Sequence, residues 1–219
     1  MARKPRPLKR DSDSFRDDRL FIIACDDTYA VEQYFGFFKI SRIKVHVVPT
    51  PLDSNACHAL DVLDRLKEID HTEDDERWLL LDTDHYTQGT HLKNFTSALK
   101  EANDADINIA LSKPCFELWL LLHHEIDKAT AVNLQNAQET EALLRKTLGE
   151  YSKRKLKQPH FPLATVKHAC RSASLLDENN YELIPQNNTS RVYLLWQAIA
   201  DKALPSQLPA ELFDLFGKS

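Results

Sequence analysis

The chain has 219 residues, 42% of them hydrophobic and 28% charged, with a formal net charge of −5. That length suits one large domain, or a domain carrying a substantial elaboration, and the composition is that of an ordinary soluble globular protein. The acidic balance argues against a protein that coats nucleic acid non-specifically, and with only four glycines the chain has neither a dinucleotide-type nor a Walker-type phosphate loop.

Residues 1–18 carry Arg3, Lys4, Arg6, Lys9, Arg10 and Arg16 without apolar periodicity, and read as a basic N-terminal arm. The arm lacks the apolar segment of a secretory signal, and no apolar run approaches the ~18 residues needed to cross a bilayer, so no membrane association and a cytoplasmic location are expected. Cys25, Cys57, Cys115 and Cys170 are scattered singly, with no Cys-x-x-Cys spacing. They read as small buried thiols, not as a zinc or redox site.

The first strand is Leu20 to Cys25, a continuous apolar run that stops at Asp26 and Asp27. A helix from about Tyr29 to Lys39 follows, with Val31, Tyr34, Phe35 and Phe38 on one face and Glu32 in its first turn. The β-branched run Ile43 to Val48 predicts a second strand nearer an edge of the sheet, and Asp53 or Ser54 is a candidate cap for a helix running to about Ile69. Trp78 to Leu81 reads as a strand buried on both faces, as in a parallel sheet, and it ends at Asp82-Thr83-Asp84. That sequence is also a common turn. A helix through Leu92, Phe95, Leu99 and Ala102 leads to a fourth strand, Ile107 to Leu111.

Pro114 then reads as the first-turn proline of a helix, Cys115 to His124, that is apolar almost all round and hence buried. Glu117 inside it needs a hydrogen bond, an ion pair or a ligand. His123-His124-Glu125 lacks a partner histidine at helical spacing and makes a weak zinc motif. From Glu125 onward no clear strand is expected. Residues 125 to 140 look like a polar connection, followed by helices at Thr140 to Tyr151 and Leu163 to Leu176. Tyr181 to Pro185 is a candidate extended segment. A helix entered through Asn187 to Ser190 follows, with Thr189 or Ser190 as its cap, and a short helix, Ala210 to Phe216, closes the chain. Lys153, Arg154, Lys155 and Lys157 form the densest basic cluster, either a solvated helix end or a phosphate contact.

Alternating strands and helices predict a parallel four-stranded sheet in residues 19–125, with 126–219 as a helical layer packed on it. Asp26, Asp27, Asp82, Asp84 and Glu117 would then gather at the carboxyl ends of the strands, where open α/β sheets bind ligands. Acids at that density repel unless a divalent cation such as Mg²⁺ or Mn²⁺ neutralises them. An acid after the first strand and Asp-x-Asp after the third resemble the Toprim domain, a Rossmannoid fold of topoisomerases, primases and OLD-type nucleases.

More specifically, Ser112-Lys113-Pro114-Cys115-Phe116-Glu117-Leu118-Trp119-Leu120-Leu121-Leu122-His123 resembles the Ser-Asn-Pro-Cys-Phe-Glu-Leu-Trp-Leu-Leu-Leu-His signature of the RloB-like family. Tyr34-Phe35, Asp82-Thr83-Asp84, Tyr151-Ser152-Lys153 and Asn188-Thr189-Ser190 before Val192 support it, so the resemblance runs along nearly the whole chain. Where that family shows Cys-Glu-Gly after the first strand, this chain has Cys25-Asp26-Asp27, and the family's second glutamate is lost or displaced to Glu32. The resemblance implies a Toprim-type protein of prokaryotic anti-phage defence by abortive infection, often encoded beside an ATPase partner.

Two functions follow. In one, Asp26, Asp82 and Asp84 hold the metal of a nuclease, with Glu117 as a further catalytic acid, Asp27 or Glu32 assisting, Lys113 and Lys153 steadying the phosphate, and RNA, tRNA included, favoured over DNA. In the other, the protein is a non-catalytic or weakly catalytic subunit, a sensor or one held by the ATPase. Oligomeric state is left open.

Overall fold

The computed structural model describes residues 18–52, 57–86 and 89–216; the basic arm and the cap candidates Asp53 and Ser54 lie outside the described residues. Strands β1 (Arg19–Cys25), β2 (Ile43–Val48), β3 (Glu76–Asp82), β4 (Asn108–Lys113) and β5 (Thr189–Ser190) form one sheet in the order β2-β1-β3-β4-β5. The first four are parallel with β2 at an edge, as expected. The fifth strand corrects the expectation of four: β5 pairs antiparallel with β4, Ser112 opposite Ser190 and Lys113 opposite Thr189, so the sheet is mixed.

The unbroken apolar runs reflect cover on both faces. Phe21, Ile23 and Cys25 of β1 and Trp78 and Leu80 of β3 face one core, while Ile22, Ala24, Leu79 and Leu81 face the other. The period-2 alternation of a strand thus feeds two apolar layers. Helices α2 (Ala59–Lys67) and α3 (Gly89–Asp104) cover the second face through Val62, Leu63, Leu66, Phe95 and Leu99. The first face is covered by α1 (Ala30–Gly36), α4 (Phe116–Leu121), α6 (Ala137–Leu148), α7 (Leu163–Leu176) and α8 (Val192–Lys202). Every residue of α4 is buried, which is why its sequence shows no polar face. Tyr34 sits centrally in this layer, edge-on to Phe116, Trp119 and Trp196, with its hydroxyl accepting from Trp196 Nε1 at 3.2 Å.

Several boundaries differ from expectation. Pro114 follows a cis peptide bond and precedes Cys115, the N-cap of α4, so it is not in the first turn. The connection after Glu125 holds a helix, α5 (Lys128–Asn133), capped by Asp127, whose carboxylate accepts from Thr130 N at 3.2 Å; its single buried residue, Ala131, left no apolar stripe to read. Residues 181–185 are turns and bends, and the last helix is a 3₁₀ turn, Ala210–Leu212. Cys25, Cys115 and Cys170 are buried as expected, whereas Cys57 is exposed. No described helix is long and apolar enough to cross a membrane.

Residues 188–191 tie the second half to the sheet. Asn188 Nδ2 donates to the carbonyls of Ala131, Val132 and Leu134 at the end of α5, Thr189 Oγ1 donates to Ala173 O of α7 at 2.9 Å, and Ser190 Oγ meets Ser112 Oγ at 2.8 Å. Arg191 grips Asp177 with two bonds, Nε to Oδ2 at 2.9 Å and Nη2 to Oδ1 at 3.1 Å, and donates to the carbonyls of Glu182 and Leu183. Tyr193 OH donates to the same Asp177 Oδ2 at 3.0 Å. Both charges are buried, so removing one strands the other. Arg191→Met is therefore expected to cost about 3–5 kcal/mol in urea unfolding, and Arg191→Met with Asp177→Leu to recover part of it.

Candidate functional site

The carboxyl ends of β1 and β3 open onto one cavity of about 510 Å³. Asp26, Asp27, Asp82 and Lys153 form its charged side, and Thr28, Tyr29, Cys57, His58 and Tyr86 the rest. Parallel registration accounts for the gathering of acids: Cys25 lies beside Leu80, and Asp82 beside Ser112, so the strands run out together.

Each acid is held differently. Asp27 is buried, and its Oδ1 accepts from the backbone N–H groups of Tyr29, at 2.6 Å, and Ala30, which caps α1. Asp26 Oδ2 accepts from Asp82 N at 3.0 Å and so staples β1 to β3. Asp82 is buried, and its Oδ1 accepts no hydrogen bond among the described residues. Asp84 opens a 3₁₀ turn, with its N–H on Pro114 O at 3.2 Å. Glu117, 2% exposed, accepts on Oε1 from Tyr151 OH at 2.9 Å and from Lys153 Nζ at 3.1 Å. The same ammonium lies 3.3 Å from Asp27 Oδ2.

The electrostatics divide the acids into two groups. On one side Lys153 pairs with both Asp27 and Glu117 and offsets one of their two charges; burial works against its own charge, but Glu117, Asp27 and Asp82 outweigh that and hold the ammonium well above the usual lysine range. On the other, burial first, then Asp26 and Glu117, push the Asp82 carboxyl well above the usual carboxylate range. Burial, with Asp27 adding to it, pushes Asp26 up to about 7, although the residue as a whole keeps some exposure and the Asp82 N–H opposes the shift. Tyr151 is likewise raised, by burial and then by Glu117, so its phenol stays a donor.

These groups suit a hard cation in donor chemistry. All are carboxylate oxygens, the set Mg²⁺ and Mn²⁺ take, and the buried Asp82 Oδ1 is an acceptor whose desolvation nothing described offsets. Among the described residues, however, no three ligand-type side chains already converge on one point. Of the expected ligands, Asp26 and Asp82 line the cavity and Asp84 does not, so an ion there would draw first on Asp26 and Asp82.

The remaining candidates are placed elsewhere. Lys113 Nζ donates to the carbonyls of Pro185, at 3.3 Å, and Gln186, at 2.5 Å, and is not part of the cavity wall. Glu32 is exposed in the first turn of α1. Arg154 lies over the Tyr29 ring, 5.5 Å from its centroid, Lys157 pairs with Glu150, and Lys155 is exposed. The buried His123 is satisfied by Tyr34 OH at 2.9 Å and Thr165 Oγ1 at 2.7 Å, and burial lowers it to about 3. It is a neutral core residue, not a ligand.

Three residues play parts that the sequence reading did not assign, although Tyr151 stood in the Tyr151-Ser152-Lys153 match. Tyr151 anchors Glu117. Gln33 clamps the basic segment to α1: its Nε2 donates to Tyr29 O at 2.8 Å and Lys153 O at 3.0 Å, and its Oε1 accepts from Leu156 N at 3.0 Å. Tyr29, two residues after Asp27, lines the cavity and carries Arg154 over its ring.

An ordinary aspartate titrates near 3.8. Between about pH 4 and pH 7 the folded chain therefore keeps a proton on Asp26 that the unfolded chain has released, so stability falls as pH rises through that window. Asp26→Asn keeps an acceptor for Asp82 N–H and removes this dependence. With a chelator present, the variant is expected to melt several degrees above the wild type at pH 8 and level with it at pH 4; equal melting at both pH values would contradict the assignment.

Comparison with curated proteins and with solved structures finds no match. The chain does match the RloB-like protein family over residues 21–199, which takes in the sheet except the first two residues of β1, the acids of the cavity and the segment that supplies Lys153. It belongs to the RloB-like family.

Proposed function

We propose that the protein is a divalent-metal-dependent nuclease of the Toprim type, hydrolysing phosphodiester bonds in RNA, tRNA included, in preference to DNA. Its setting would be prokaryotic anti-phage defence by abortive infection beside an ATPase partner, the role implied by the family resemblance. The observation that carries the reading is the buried Asp82, whose Oδ1 has no hydrogen-bond donor among the described residues, beside Asp26 in an acid-walled cavity. A cation bound by Asp26, Asp82 and Asp84 would supply charge neutralisation at the phosphate and a lowered pKa for the attacking water.

The chain's own residues have separable tasks. Asp26 ties β1 to β3 through the Asp82 N–H and so fixes the spacing of the two acids. Asp27 spends its carboxylate on capping α1, which leaves it a supporting residue. Tyr151 holds Glu117, and Glu117 holds Lys153 at the cavity edge. From there an ammonium meets an incoming phosphate, as charged donors do at backbone contacts. Aspartate at the Asp26 position reaches one methylene less than glutamate, yet still ligates.

A second reading, a non-catalytic or weakly catalytic subunit that senses phage or is held by the ATPase, is favoured by Lys153 itself. An ammonium already paired with Asp27 and Glu117 supplies part of the positive charge that a cation would bring.

Incubation of the purified protein with total RNA, and separately with plasmid DNA, in Mn²⁺ or Mg²⁺ discriminates between them. The nuclease reading expects metal-dependent cleavage of RNA that Asp82→Asn abolishes, and a metal-dependent rise in melting temperature lost in the same variant. A folded protein that cleaves neither substrate and shows no metal-dependent shift is the second reading's result.

A further inference from the structure

Beside the carboxylates the cavity lining carries Tyr29, Tyr86 and His58, and Tyr86 is held in place by stacking on Phe95 at 4.4 Å and by its hydroxyl on Cys57 O at 2.9 Å. Carboxylates that hold a cation, lined up with aromatic rings in one cavity, fit a molecule with a phosphate for the cation and a flat group for the rings. At about 510 Å³ the space takes one such unit, not a stacked base pair with its neighbours.

Tyr29 lines the cavity, and Arg154 lies over its ring without being part of the lining. The ring is half-buried and the guanidinium exposed, 5.5 Å from the ring centroid, within reach of a cation–π contact. Their neighbours in sequence are Asp27 and Lys153, which face the charged side. Gln33 fixes both backbones at once, through Tyr29 O and Lys153 O, so the pair is organised before anything binds. Aromatic rings and arginine planes are the two surfaces on which unpaired bases stack, and a duplex keeps those base faces covered by its own neighbours.

Resting on the nucleic-acid reading above, we infer that Tyr29 and Arg154 form a stacking platform for an unpaired nucleobase, so that the site accepts single-stranded nucleic acid and excludes duplex. The stacked base would belong to the nucleotide beside the phosphate over Asp26 and Asp82. Lys155, exposed on the same segment, is placed for the next phosphate along the strand.

Fluorescence anisotropy tests this with a labelled single-stranded RNA, the same sequence as single-stranded DNA, and the RNA duplex, all in Ca²⁺ to suppress cleavage. Both single strands are expected to bind, and the duplex about tenfold more weakly or less. Tyr29→Ala is expected to weaken single-strand binding about tenfold, as loss of one stacked base does, while Tyr29→Phe, which keeps the ring, stays within about twofold. Arg154→Ala is expected to weaken it as well, with the melting temperature of each variant recorded alongside. Equal binding of duplex and single strand overturns the inference, as does wild-type binding by both Tyr29→Ala and Arg154→Ala. So does a loss in which Tyr29→Phe fares no better than Tyr29→Ala. Tyr29-dependent binding by a protein that cleaves nothing leaves the platform standing and removes the nuclease reading, whereas metal-dependent cleavage indifferent to Tyr29→Ala does the reverse.

Discussion

Mutual repulsion among carboxylates crowded at the ends of parallel strands is the constraint around which this fold is arranged. Asp26, Asp27, Asp82, Asp84 and Glu117 are brought there by the strand register, and in a partly desolvated cavity each ionised neighbour raises the cost of the next. The protein meets part of that cost itself. Asp27 is spent on the N–H groups of α1, and Lys153 is drawn in between Asp27 and Glu117. Asp26 and Asp82 keep the remainder, and burial holds both carboxyls above the usual carboxylate range.

The helical second half completes the site and does more than cover the sheet. Tyr151 and Lys153 come from the segment after α6, reach back to Glu117 in α4, and are fastened by Gln33 of α1. Further on, Asn188, Thr189 and Ser190 each give a polar side chain to a different element, and β5 extends the sheet beside β4. The carbonyls of Pro185 and Gln186, just before this stretch, draw Lys113 away from the acids that follow its neighbouring strands.

What the sequence disclosed follows the same physics. Strands covered on both faces leave unbroken apolar runs, so β1, β3 and β4 were legible, the first two together with the acids that end them, and α7 was legible to the residue through its spacing of Val166, Ala169, Ala173 and Leu176. β5 was not, because two buried polar residues owe their strand geometry to β4 and carry no periodicity of their own. The basic cluster was visible, but the division of labour within it depends on partners more than a hundred residues away in the chain: Lys153 turns to Asp27 while Arg154 turns to Tyr29. Gln33 gave no signal, since a lone glutamine on a helix is usually solvated.

The measurement that bears most directly on this account is a calorimetric titration of Mn²⁺ into the chelator-stripped protein and its Asp82→Asn variant at neutral pH. The account predicts a saturable binding isotherm for the wild type that the folded variant lacks. No binding by the folded wild type, or the same isotherm from both proteins, would contradict it.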